Sequence, residues 1–113
     1  WKTAYDQKRP YLDLIDAIRV MVFFLTNDKF DGRVYNVVTL NATVREVVDS
    51  IKTFIPDLKV DFVDSRIMNQ LSYEVLNTRL DEQGFIFKGD LEQGIKDTIS
   101  LLQKAATLNS TTI

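Results

Sequence analysis

Gln7-Lys8-Arg9-Pro10-Tyr11-Leu12-Asp13-Leu14-Ile15-Asp16-Ala17 runs directly into Ile18-Arg19-Val20-Met21-Val22-Phe23-Phe24-Leu25. Pro10 fixes its own φ and pushes Arg9 towards extended backbone, so a cationic side chain sits beside a Pro-stiffened strand. The Asp13 carboxylate can accept from the unpaired N–H groups of a first helical turn, with Asp16 three residues on. That predicts a helix from about Leu14 to Thr26. From Leu14 to Leu25 only Asp16 and Arg19 interrupt the apolar residues. A helix that is apolar on nearly every side is normally buried on every side. A chain of 113 residues has little material for that. The expectation is therefore a piece of something larger, and an opening of Trp1-Lys2-Thr3 fits it.

Downstream, Asn27-Asp28-Lys29-Phe30-Asp31-Gly32 is turn chemistry. Arg33-Val34-Tyr35-Asn36-Val37-Val38-Thr39 is β-branched and aromatic and predicts a strand. Its apolar residues do not alternate, which predicts cover on both faces, as in a parallel sheet flanked by helices. Thr43-Val44-Arg45-Glu46 is a capping box that opens a second helix, reaching Phe54 or Ile55. Val44, Val47, Val48, Ile51, Phe54 and Ile55 form its apolar face. Pro56-Asp57 stops it, and Lys59 to Val63 alternates as a second strand. A linking segment runs from Asp64 to Glu74. Asn77 is placed to cap a short helix, Thr78 to Gln83, that Gly84 ends. Phe85-Ile86-Phe87 reads as a short extended piece. Asp90 caps a last helix, Leu91 to about Ala106, with Leu91, Ile95, Ile99 and Leu102 on one face. Residues 109–113 read as a frayed tail. The fold class is α/β: three to four helices with a few short strands.

Bulk properties exclude several function classes. A net charge of −2 and a pI near 5.0 provide no basic patch for nucleic acid and no polybasic arm for anionic lipid. The apolar run Val20 to Leu25 is too short to span a bilayer, so no membrane partner is expected. No signal peptide precedes it, and a cytoplasmic location is the default. Without cysteine there is no disulfide framework or thiolate metal site. Without histidine the commonest general base and the commonest metal ligand are missing. Gly32, Gly84, Gly89 and Gly94 match neither G-x-G-x-x-G nor a P-loop, so the chain has no phosphate-cradling glycine turn. The carboxylates read as caps and surface charge. Tyr11 and Tyr35 read as packing residues, and Phe23, Phe24, Phe54 and Phe62 as core.

The order of the motifs is informative. An Arg9-x-Tyr11 segment enters an Asp-bearing helix start. A Gly32-x-Val34-Tyr35-Asn36-Val37 strand follows, then a Thr-capped Val44-x-Glu46-Val47-Val48 helix. Asn77-Thr78-Arg79-Leu80 precedes Gly84-Phe85, and Asp90-Leu91-Glu92-Gln93-Gly94-Ile95 opens the last helix. From Trp1 to about Gln103 this resembles the C-terminal portion of the extended short-chain dehydrogenase/reductases. These are the NAD-dependent nucleotide-sugar epimerases and dehydratases of the UDP-glucose 4-epimerase type.

The resemblance implies that residues 1–113 are the substrate-binding portion of a Rossmann-type isomerase or lyase. NAD and a catalytic Tyr-x-x-x-Lys would then belong to an N-terminal domain that is missing here. The residues four after Tyr5, Tyr11, Tyr35 and Tyr73 are Arg9, Ile15, Thr39 and Asn77, none of them lysine. The resemblance makes Arg9, and near it in role Arg66, contacts for the substrate's nucleotide diphosphate. Guanidinium suits that task, because its fork of N–H donors matches phosphate oxygens and stays charged. Met68 and Tyr73 fall in the segment that lines the sugar-nucleotide cleft in that family. The sequence departs from the family at Asp13-Leu14-Ile15-Asp16, where His-Val-Asp-Asp is common, and at Tyr5 and Gln7, which replace a glycine-rich loop. Taken alone, the fragment is expected to be inactive and to form a homo-oligomer through the Leu14–Leu25 helix or the Arg33–Thr39 strand. One competing reading is a self-contained, non-catalytic α/β interaction module with the apolar helix as its docking surface. Another is a reductase of the same superfamily with a non-nucleotide substrate.

Overall fold

The computed structural model describes residues 5–28, 30–63 and 72–111. In chain order these form β1 (Lys8–Tyr11), α1 (Leu14–Thr26), β2 (Leu40–Thr43), α2 (Val44–Phe54), α3 (Thr78–Glu82) and α4 (Leu91–Thr111). The chain is thus a mixed α/β unit with four helices and one small sheet among the described residues.

Local chemistry sets the helix ends. α1 begins where expected, with the Asp13 carboxylate accepting from the Ile15 amide. At α2 both halves of the capping box form: Glu46 N–H donates to Thr43 Oγ1, and the Glu46 carboxylate accepts from Thr43 N–H. Gly84 follows α3 at φ +83°, a left-handed conformation that suits glycine. α4 starts on Asp90, whose carboxylate accepts from Gln93 N–H at 2.9 Å. It continues to Thr111, past the expected end near Ala106. No Gly or Pro interrupts that stretch, the Thr107 hydroxyl donates back to Gln103 O at 3.0 Å, and residues 109–111, expected as a frayed tail, are helical.

The sheet differs from the sequence-based expectation. β1 and β2 pair antiparallel, Lys8 opposite Thr43 and Tyr11 opposite Leu40. The Thr39 amide extends the ladder by donating to Tyr11 O at 2.8 Å. Residues 33–39, expected to be a strand covered on both faces in a parallel sheet, form none, and Val34 is 78% exposed. Residues 59–63 also form no strand. In both cases β-propensity is present but no neighbouring strand is among the described residues, and strands are stabilised by pairing rather than by composition.

The apolar core lies on one side of α1. Val20, Leu80 and Phe85 are buried there, with Phe23, Phe24, Tyr35, Val37 and Phe87 packed around them. Edge-to-face ring contacts link Phe23 to Phe85 and Phe85 to Phe87. Phe62, expected in the core, is half exposed and makes an edge-to-face contact with the Tyr5 ring. The other side of α1 is uncovered: Leu14 is 72% exposed, Ile18 55%, Met21 66% and Leu25 69%. The Cα radius of gyration is 17.5 Å, against about 13 Å for a compact domain of this length. α1 contributes one face to a core and leaves its opposite face without cover from the described residues.

Candidate functional site

Arg9 lies on β1, between the sheet and residues 72–74. Ser72 Oγ accepts from the Lys8 amide, and the Tyr73 amide reaches Lys8 O at 3.4 Å, so this segment runs along β1. Side chains alternate along a strand. Lys8 therefore pairs with Glu74, while Arg9 lies over the Tyr73 ring with its guanidinium carbon 5.3 Å from the centroid. The Lys8–Glu74 hydrogen bond holds the Lys8 ammonium above the usual lysine range.

The Arg9 fork is held at its tips as well. Nη1 donates to Lys8 O at 2.8 Å, and Nη2 donates to Gln7 Oε1 at 2.9 Å. The result is a half-buried guanidinium fixed in plane by a backbone carbonyl, a side-chain amide and an aromatic face. Such pre-ordering reduces the entropy lost when the fork meets an anion. Arg66 and Met68 lie outside the described residues.

A second polar constellation joins three parts of the chain. The Asp16 side chain is fully buried. It accepts from Lys88 N–H at 2.8 Å, Gly89 N–H at 2.9 Å and Thr39 Oγ1 at 2.8 Å, with Arg19 Nη1 at 3.5 Å. Burial alone would raise its pKa. The two backbone amides, the hydroxyl and the arginine outweigh that and hold the carboxyl below the usual aspartate range. Arg19 also donates to Ile86 O and lies 5.2 Å over the Phe85 ring. Thr39 Oγ1 in turn accepts from the Asp13 amide at 2.8 Å, and Asp13 Oδ2 accepts from Asp90 N–H at 3.2 Å. The starts of α1 and α4 and the entry to β2 are therefore tied through two carboxylates and one hydroxyl.

Two asparagines act as substitute backbone. Asn77 donates to Val38 O at 2.6 Å and accepts from Val38 N–H at 2.8 Å. Asn41 makes the same reciprocal pair with Val75, both bonds at 2.9 Å. Asn77 was expected to cap α3 with its side chain; it makes no cap bond, because that side chain is committed to Val38. Together these pairs place residues 72–77 against 38–41 and so carry Tyr73 to Arg9.

An apolar groove of about 740 Å³ opens between the starts of α1 and α4, lined by Leu14, Ile15, Ile18, Leu91, Ile95 and Leu102 among others. The described residues include no cluster of carboxylates able to hold a metal, and no described helix is long and apolar enough to cross a membrane.

The structure puts Arg9 on a sheet edge, in a defined setting. The sequence reading missed the role of Asp16, which it took for a first-turn acid. An acid inside an otherwise apolar run was the available signal, since a buried carboxylate must be paired. It also gave Gly89 no role beyond lacking a phosphate motif.

No family model matches the chain, and no solved structure matches it.

Proposed function

We propose that this chain is the substrate-binding portion of an NAD-dependent sugar-nucleotide epimerase or dehydratase, and that Arg9 anchors the substrate's diphosphate. The observation that carries the reading is the pre-ordered Arg9 fork on β1, immediately before the α1 helix. Support also comes from the order of motifs on both sides of it and from the uncovered face of α1, which suits a helix packed against a neighbouring lobe.

The residues present do not fit NAD itself. A pyrophosphate is held by free amides at a helix N-terminus or glycine turn. Here α1 begins on Asp13, α2 on Thr43 with Glu46, and α4 on Asp90 with Asp13 beside it. The positive ends of α1, α2 and α4 each already face a carboxylate, which would repel phosphate. On this reading NAD is held by another part of the protein. The task of this part is binding: Arg9 holds the diphosphate remote from the reacting carbon, and that binding energy positions the sugar.

The test is a UDP titration of the intact protein by calorimetry, with and without Arg9→Ala. A charge-assisted bond to phosphate contributes about 1.5–3 kcal/mol, so the variant should bind roughly tenfold more weakly or worse. Equal affinity in the two proteins would refute the role of Arg9.

The exposed α1 face also favours a second reading, a non-catalytic α/β interaction module. A protein partner seated on Leu14, Ile18 and Met21, in an intact protein without nucleotide affinity, would favour the module over the enzyme.

A further inference from the structure

Arginine on an exposed strand ordinarily samples many rotamers, and a mobile fork binds anions weakly because it must be ordered on binding. Arg9 has a wall that limits this. The Tyr73 ring lies under the guanidinium, 5.3 Å from its carbon to the centroid, within the range of a cation–π contact. The ring is brought there by the chain around it: Ser72 Oγ on the Lys8 amide, the Tyr73 amide near Lys8 O, and the Asn41–Val75 pair two residues on. Tyr73 is itself 51% exposed, so it is not a core residue held there by burial. A half-exposed tyrosine is ordinary; this one is distinguished by backbone contacts on both sides that hold its ring against a cation.

We infer that Tyr73 is a positioning residue for Arg9: its ring sets the plane of the guanidinium, and Gln7 Oε1 and Lys8 O set its rotation, so that the arginine is already oriented before it meets the phosphates of a nucleoside diphosphate. The inference rests on the proposed role of Arg9 and adds to it the residue that makes the arginine selective for a phosphate-bearing ligand. The acting surface is the ring face and not the phenol oxygen. Removing the ring should therefore matter, and removing the hydroxyl should not.

The experiment measures UDP and uridine affinities of the intact protein by calorimetry for the unaltered chain, Tyr73→Phe, Tyr73→Leu and Arg9→Ala. Tyr73→Leu should weaken UDP by roughly two- to fivefold, the worth of an exposed cation–π contact. Uridine affinity should not change, because only the phosphate-dependent part depends on Arg9. Tyr73→Phe should keep the UDP affinity of the unaltered protein. The double variant Arg9→Ala/Tyr73→Leu should bind UDP no more weakly than Arg9→Ala alone. Unchanged UDP affinity in Tyr73→Leu, with a clear loss in Arg9→Ala, overturns the inference and leaves the proposed function standing. Parallel loss of uridine and UDP affinity also overturns it, because the ring would then serve the base. No UDP binding by the unaltered protein, or none that depends on Arg9, overturns both. Circular dichroism melts of the five proteins separate these outcomes from a folding defect.

Discussion

The Gly89 amide donates to Asp16 Oδ2 across 2.9 Å, and a Cβ placed on Gly89 would lie 2.5 Å from that same oxygen. It would also lie 2.5 Å from Asp13 Cβ and 2.9 Å from Thr39 Cγ2. The close approach that lets the amide reach the buried carboxylate leaves no space for a side chain. Gly89→Ala must push α4 away from α1 or break the hydrogen bond. The expected loss of stability is about 2–3 kcal/mol, the cost of overpacking together with a weakened bond to a charged group. Urea unfolding followed by circular dichroism measures it. Gly84→Ala, with open space around its Cβ but φ at +83°, should cost only about 1 kcal/mol.

Asp16 makes the fold sensitive to acid. Its carboxyl titrates below the usual aspartate value in the folded chain. The stability it contributes is therefore complete above the unfolded value, near 4, and is lost as pH falls through the lower folded value. Asp16→Asn should be less stable than the parent at pH 7 by about 3 kcal/mol. One amide oxygen replaces the two carboxylate oxygens that serve the Lys88 and Gly89 N–H groups, and Arg19 loses its ion-pair partner. The gap should narrow below about pH 4, where the parent is losing the same contribution. Urea titrations at pH 7 and at about pH 3 check the sign; a gap that stays constant would show that the carboxylate's charge is not what matters.

Asn77→Ala removes both bonds to Val38, whose side chain is buried, and leaves that amide and carbonyl without partners. A loss of about 2 kcal/mol is expected, along with faster hydrogen exchange at the Val38 amide. Asn77→Asp keeps an acceptor for the amide but faces the Val38 carbonyl with a charge, and should not restore stability.

The uncovered face of α1 should drive self-association of the 113-residue chain in isolation. Leu14, Ile18, Met21 and Leu25 recur at helical spacing and are exposed. Burying each would contribute roughly 1.5–3 kcal/mol. Ile18→Glu with Met21→Lys should convert a concentration-dependent assembly to a monomer, with little change in folding stability, because neither side chain is buried. Light scattering across a hundredfold concentration range decides this; a monomer at the highest concentration before substitution would refute it.

Much of the local structure was legible in the chain. The α1 limits, the α2 capping box and the glycine after α3 follow from groups within a few residues of one another. A side chain that caps a helix competes only with water and its own backbone, and so its outcome is set by sequence. Legibility failed at residues 33–38, where strand propensity met no strand to pair with, and at Asn77, whose side chain was taken by Val38 rather than by its own helix.

By itself, then, the sequence determined where the helices start, that α1 would be apolar on nearly all sides, and that an arginine would sit on an extended segment ahead of it. These are consequences of short-range hydrogen bonding and of side-chain period. Only the tertiary structure decided what Asp16 does, why residue 89 is glycine, and which ring lies against Arg9. Those contacts join residues 64 to 73 positions apart. No periodicity reports them, because a long-range contact depends on how distant segments are packed and not on the spacing of residues within either one.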